Sequence, residues 1–319
     1  MIAFRRPIAI LLAGATLQLA ACAPVKEAPR TAAPPPVKAA PAPAPAAADA
    51  AAAAGPALWK VADEDTTIYL FGTVHALPAS VEWYTGPVAQ ALAAAQVLVT
   101  EIPSGELTTP AVQQAFIARA QLPEGQSLRA ILPAERRAAY DAALAKFGLP
   151  AAAFDRFEPW FVAITLSTLP LLKAGYSMEA GVESAIEGKA GTEKKRAALE
   201  TVESQLRLFD ELPMDTQIAY LGAVIEQLDQ TVPTMNAMVA AWAKGDADAL
   251  AELLNRELDD PALAERLLYA RNRNWAEWIR KRLEEPGTAF MAVGAGHLAG
   301  KNSVQDYVTK AGTAVVRVQ

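Results

Sequence analysis

The chain's only two histidines sit near its opposite ends, and each closes a Gly-x-x-His motif that follows a short apolar run. The first run, Thr66 to Phe71, is β-branched and aromatic and is bounded by Asp65 and Gly72, which marks a strand. It leads into Gly72-Thr73-Val74-His75. The second run, Ala289 to Val293, leads into Gly294-Ala295-Gly296-His297. Between them the chain is mainly of helical character. Segments at Pro110–Arg119, Pro133–Phe147, Pro159–Lys173, Pro233–Lys244 and Pro261–Leu283 begin at or near a proline and carry apolar residues at helical spacing. Glu179–Gly188, Glu203–Glu211, Asp215–Leu228 and Ala247–Arg256 continue the run.

Near the start, Pro87–Ala95 reads as a helix and Gln96–Thr100 as a strand ending at Glu101, so the domain opens strand, helix, strand and suggests a right-handed βαβ unit. Arg196–Leu199 reads as a short strand, Ser303–Lys310 as a helix and Ala314–Val318 as a closing strand. Strands at both ends of a helical middle imply an α/β fold. Its mixed sheet is built from the N- and C-terminal parts, with a large helical insertion between them.

The expected domain covers 57–319, and two further segments precede it. Residues 1–21 have the layout of a signal peptide: Arg5 and Arg6, a short apolar run from Ile8 to Ala20, then small residues before Cys22. The run is too short to span a bilayer. Leu19-Ala20-Ala21-Cys22 resembles the bacterial lipobox, which implies acylation of Cys22, the only cysteine. Two or more acyl chains give a stable membrane anchor. Ala23 is not the aspartate that marks inner-membrane retention, which points to the outer membrane and the periplasm. Residues 22–56 are nearly all Ala and Pro and offer little to bury, so they read as a disordered tether. At about 3.1 Å per residue such a tether reaches on the order of 100 Å. The formal net charge is −6 with no basic cluster, so nucleic-acid binding has no electrostatic support. A single cysteine excludes a disulfide within the chain.

Both histidines and Glu101 fall at predicted carboxyl ends of strands, where open α/β sheets bind ligands. Two His and one carboxylate form a set that catalytic metal sites use. Neither a His-Glu-x-x-His helix nor a Gly-x-Ser-x-Gly turn is present. Arg271 and Asn272 lie on a helix among Tyr269, Trp275 and Trp278, where a guanidinium suits a substrate carboxylate or an oxyanion.

Together these residues resemble the TraB/PrgY/GumN family, which includes the Tiki proteases of animals. The resemblance covers nearly all of 58–319. It rests on Leu58-Trp59-Lys60-Val61, the two Gly-x-x-His motifs, Leu98-Val99-Thr100-Glu101, Gly181-Val182-Glu183, Leu199-Glu200-Thr201 through Gln205, and Arg271-Asn272-Arg273-Asn274-Trp275. It implies a fold similar to the haem-binding and erythromycin-esterase-like α/β group. It also implies a metal-dependent peptidase with a divalent ion (Mn, Co or Zn) held by His75, His297 and Glu101. Glu101, Arg271 and Asn272 would then be catalytic, and a peptide or protein would be the substrate. Glu101 is either the third ligand or the general base. Ala270 stands where family members often have an acidic residue before the arginine. The Gly181-Val182-Glu183 and Leu199-Glu200-Thr201 elements are expected either to support the site residues or to be structural, the structural reading being favoured. The alternative reading is a non-catalytic peptide- or haem-binding envelope lipoprotein that uses the same two histidines.

Overall fold

A computed structural model describes residues 55–319, apart from 85, 104, 107–108 and 258–259. The expected signal peptide, Cys22 and the tether up to residue 54 lie outside the described residues. Among the described residues there are eight strands: β1 (Leu58–Ala62), β2 (Thr66–Thr73), β3 (Leu77–Pro78), β4 (Val97–Thr100), β5 (Tyr176–Ser177), β6 (Lys195–Ala198), β7 (Gly287–Gly294) and β8 (Val315–Arg317). Six of them form one mixed sheet in the order β6-β4-β7-β2-β1-β8, and β3 and β5 form a small second pair. The expected α/β class therefore holds, with both ends of the domain in one sheet.

Within that sheet β6, β4, β7 and β2 run parallel, while β1 is antiparallel to both β2 and β8. Strand, helix, strand does open the parallel part, through β2, α1 (Gly86–Ala94) and β4. The two strands are not neighbours, however, because β7 from the far end of the chain lies between them. β1 was not anticipated as a strand. Its alternation is interrupted by Trp59 and Lys60, both only partly buried, and it is held by pairing on both sides.

The helical insertion begins with α2 (Pro110–Arg119), α3 (Leu128–Ile131), α4 (Ala134–Lys146), α5 (Pro159–Lys173) and α6 (Val182–Ala190). It continues through α7 (Val202–Asp210), α8 (Met214–Gln227), α9 (Thr231–Ala243), α10 (Ala247–Glu257) and α11 (Pro261–Ala264). α12 (Ala270–Arg282) and α13 (Val304–Lys310) flank β7. The single helix expected over Pro261–Leu283 is broken by a π-helical turn, Glu265–Tyr269, between α11 and α12.

Burial explains the layering. β7 alternates its buried side chains between two cores: Phe290 and Ala292 face one, and Ala289, Met291 and Val293 face the other. The first face packs on α1, α6, α9 and α10 through residues such as Leu92, Ile186, Trp242 and Leu250. The second packs on α12 and α13 through Trp275, Ile279, Val304 and Val308. Two covered faces require the near-continuous apolar run that β7 has. A third core, around Trp160, Tyr140 and Tyr220, belongs to the helical insertion and reaches Ile102, Val202 and Leu267 beside the strand ends. Burying one Leu- or Phe-sized side chain contributes about 1.5–3 kcal/mol, so each layer is held chiefly by such contacts.

Candidate functional site

The parallel strands all point their carboxyl ends to one edge. Across it, in strand order, come Glu200 after β6, Glu101 after β4, His297 after β7 and His75 after β2. This is the edge at which open α/β sheets bind ligands. All of the expected side chains are withdrawn from solvent: His75, Glu101, Arg271, Asn272 and His297 are each buried.

The two histidines are not placed alike. In the β2–β7 ladder Gly72 pairs with Val293 and Thr73 with Gly294, so the two motifs are out of step by one residue. His75 follows in an irregular bend, whereas His297 lies in a 3₁₀ turn, Ala295–Leu298. The motif glycine Gly72 is needed for packing, since a Cβ there would stand 3.0 Å from Ala295 Cα. Trp242 Nε1 donates to Gly72 O at 2.8 Å and ties α9 to the same loop.

His75 belongs with Glu183. Nδ1 and Glu183 Oε1 are 2.5 Å apart, an ion-pair contact without hydrogen-bond alignment, and His75 Nε2 is buried with no hydrogen-bond partner. Burial pulls the His75 pKa down, but the neighbouring Glu183 more than offsets it and raises the pKa above 6.5; Glu101 adds to the rise and Arg271 opposes it. Burial pushes Glu183 up in turn, and its contacts with His75 and Thr73 hold it below the usual carboxylate range. The approach depends on Gly181, because a Cβ at that position would meet His75 O at 2.1 Å. Val182 N donates to Val74 O at 3.0 Å and fixes the start of α6 against the histidine loop.

His297 belongs with Asn272 and Arg271. Asn272 Nδ2 donates to Asn302 O at 2.7 Å, which leaves Asn272 Oδ1 as the acceptor for His297 Nδ1–H at 2.5 Å. His297 Nε2 then accepts from Arg271 Nη1 at 3.0 Å, since a guanidinium has only donors. The ring is thus neutral, with its proton on Nδ1. A small cleft opens beside this pair, lined by Asn272, Gly296, Tyr269 and Lys301 among others.

Arg271 is surrounded by acceptors. Nε donates to Glu200 Oε1 at 2.8 Å, and Nη2 donates to Glu200 Oε2 at 2.9 Å and to Glu101 Oε2 at 2.7 Å. Nη1 donates to Leu267 O at 3.0 Å besides His297. Leu267 lies in the π-helical turn that precedes α12. Burial alone would lower the Arg271 pKa, but Glu101 and Glu200 more than compensate and raise it. The acids are themselves held: Gln205 Nε2 donates to Glu101 Oε2 at 2.8 Å and to Glu200 Oε2 at 3.1 Å, and Gly294 N donates to Glu101 Oε1 at 2.7 Å. Trp275 Nε1 donates to Glu200 Oε1 at 3.0 Å, its ring lying under the Arg271 guanidinium and against His297.

The geometry bears on two expectations. Glu183 and Glu200 touch His75 and Arg271 directly, the supporting contact that was the less favoured reading of their motifs. Glu200 carried a readable signal, because it lies just past β6 as Glu101 lies just past β4. The expected metal ligands His75, His297 and Glu101 are all buried at this strand-end edge. Among the described residues no group of three or more His, Cys, Asp or Glu side chains is placed to hold a metal ion. Arg271 takes the Nε2 lone pair of His297 and bonds the Oε2 atom of Glu101. His75 has a carboxylate at Nδ1, the kind of partner that orients metal-ligating histidines.

Comparison with family models gives a match to the TraB/PrgY/gumN family over residues 57–317, from the residue before β1 to the end of β8. The chain belongs to this family. Comparison with curated proteins and with solved structures gives no match. The family match spans the whole sheet together with its helical insertion, so the strand-end residues described above lie within the matched region.

Proposed function

We propose that this TraB/PrgY/gumN-family protein is a hydrolase that acts on peptide bonds, held in the cell envelope by a lipid on Cys22 and facing the periplasm on its Ala/Pro tether. The observation that carries the hydrolase reading is His75: a buried imidazole, oriented at Nδ1 by Glu183, with an unpartnered Nε2 at the ligand-binding edge of the sheet. A base oriented by a carboxylate on its far side is the arrangement that general acid–base catalysis needs. In this reading neutral His75 takes a proton from water at Nε2 while the water oxygen attacks the scissile carbonyl carbon. His75 then returns that proton to the leaving amine nitrogen, and the C–N bond breaks. Glu183 keeps the ring in place and favours its charged form between the two transfers.

In this reading Arg271 and Glu101 act through position. The five N–H groups of Arg271 all have acceptors within the chain, and each Glu101 oxygen accepts from a donor. They therefore build the wall of the site and set the position of His297. Among the described residues no helix is long and apolar enough to cross a membrane; the proposed attachment rests on the lipobox-like Leu19-Ala20-Ala21-Cys22.

The test is peptide hydrolysis by the purified full chain against His75→Ala. Loss of a general base costs about 10²- to 10⁴-fold in rate. Equal turnover by a folded His75→Ala protein would sink the reading. Metabolic labelling with palmitate tests the anchor: label is expected in the parent and absent from Cys22→Ser.

A further inference from the structure

Thr73 closes β2 with a fully buried side chain whose Oγ1 has no hydrogen-bond partner. Its direction follows from the strand. Phe71 packs in the core that α6 enters through Val182 and Ile186, whereas Leu70 packs in the opposite one. Side chains alternate along a strand, so Thr73 points, like Phe71, towards α6. The start of that helix is docked on the same stretch of chain. Val182 N donates to Val74 O at 3.0 Å, and Gly181 approaches His75 O closely. Glu183, in the first turn of α6, therefore meets both Thr73 and His75.

Thr73 Oγ1, His75 Nδ1 and Nε2, and Glu183 Oε1 are all buried without an aligned hydrogen bond. A buried polar atom left unpaired costs about 1–3 kcal/mol. Three of these atoms complement one another: the hydroxyl donates, the carboxylate accepts, and the imidazole donates from Nδ1. Rotation about side-chain bonds is enough to align them, and catalytic hydrogen bonds commonly tighten when substrate binds. Burial pushes Glu183 up, and its contacts with His75 and Thr73 favour the charged carboxylate. We infer that Thr73 is the positioning residue of this pair: its hydroxyl donates to Glu183, holds that carboxylate against Nδ1–H of His75, and so leaves Nε2 free to act as the base. The inference deepens the hydrolase reading and rests on it for the role of the base. Without the hydroxyl the carboxylate can turn away and the ring proton can move to Nε2, a form that cannot take a proton from water there.

The test compares the purified full chain with three variants. Thr73→Val puts a methyl group in the hydroxyl's place, Thr73→Ala leaves room if Val fails to fold, and Thr73→Ser keeps the hydroxyl. The chain has only two histidines, so nuclear magnetic resonance of isotope-labelled histidine isolates the His75 ring nitrogens by comparison with His75→Ala. At a pH where the ring is neutral, the parent and Thr73→Ser are expected to carry the ring proton on Nδ1. In Thr73→Val and Thr73→Ala it is expected to shift towards Nε2. Peptide hydrolysis is the second readout. In Thr73→Val, kcat should fall about 10- to 100-fold, the worth of one hydrogen bond to a charged group, with KM little changed. Thr73→Ser should keep the parent's kcat.

A folded Thr73→Val or Thr73→Ala protein whose His75 ring signals match the parent's overturns the inference, as does a parent ring that carries its proton on Nε2. A displaced ring proton with the parent's kcat, in a chain whose hydrolysis depends on His75, overturns it too. Lost stability with unchanged ring signals is what a merely structural threonine would give, and also counts against it. The hydrolase reading fails separately, if His75→Ala turns over peptide as the parent does; the ring signals then still decide whether Thr73 holds the pair.

Discussion

At the level of single residues, the strand-end edge divides into a held cluster and a poised pair. The held cluster is Arg271 with Glu101, Glu200 and His297. Taking one partner from a buried charge pair costs about 3–5 kcal/mol, because the other charge is left uncompensated. Arg271→Ala strands two acids at once, so its loss in denaturant unfolding should reach at least that range; a loss near zero would show the acids to be solvated. The poised pair is His75 with Glu183, whose carboxylate holds the His75 pKa above 6.5 against burial, with Glu101 assisting and Arg271 opposing. If His75 acts as the base, activity rises with pH along a limb set by that pKa. Glu183→Gln removes the charge that raises it, so the limb should move to lower pH while kcat falls.

Stability carries the same signature. The raised His75 contributes below its unfolded value near 6.5 and loses that contribution as pH rises through its folded value. The lowered Glu183 contributes above its unfolded value near 4.5 and loses it as pH falls. The stability difference between parent and Glu183→Gln should therefore be greatest between about pH 4.5 and 6.5. Thermal melts of both proteins across pH 3–9 check this, and a difference that does not vary with pH would contradict it.

At the level of elements, Gly181 is the sharpest case. It precedes α6 and lets the helix start against the His75 loop, where a Cβ would stand 2.1 Å from His75 O and 2.8 Å from Met178 O. Backbone atoms cannot yield as a flexible side chain does. Gly181→Ala should cost about 1–3 kcal/mol or more, as overpacking does, and should move Glu183 away from His75. Its activity is expected to fall with that of Glu183→Gln; wild-type activity would show that the pair tolerates separation.

This element also shows what was legible in the sequence. A Gly-Val-Glu string is visible, but only the fold reveals that the glycine serves a close approach rather than a turn. Periodicity identified β2, β4 and β7 and most of the long helices, since each buries a regular face. It missed β1, whose Trp59 and Lys60 are half covered and whose pairing is supplied from distant parts of the chain. It also missed the π-helical turn before Arg271, because a one-residue shift leaves the apolar spacing on either side intact.

At the level of the whole molecule, the sequence placed His75, Glu101 and His297 on one edge because each follows a strand. It did not supply the order of those strands. β7 enters between β2 and β4, so His297 comes to stand beside Arg271 and Glu101, while His75 turns to a glutamate from the insertion. The site therefore depends on both ends of the domain and its middle being assembled together. The last residues are part of that closure. Val318 N donates to Leu58 O at 2.7 Å, Gln319 O accepts from Leu58 N at 3.3 Å, and Gln319 Nε2 donates to Pro56 O at 2.8 Å. Arg317 pairs with Trp59 in the β8–β1 ladder and stacks over its ring. At about 1 kcal/mol net for each such bond, removing Arg317 to Gln319 should cost about 3–5 kcal/mol. In a domain of this size that corresponds to a fall of roughly 10 °C in Tm. Because β1 then keeps only its Lys60–Val316 and Val61–Val315 pairs on that side and leads directly into β2 and His75, the deletion should weaken the distant strand-end edge along with overall stability. Calorimetry of the truncated chain checks the first effect and peptide hydrolysis the second. An unchanged Tm would mean that β8 merely decorates the sheet rather than closing it.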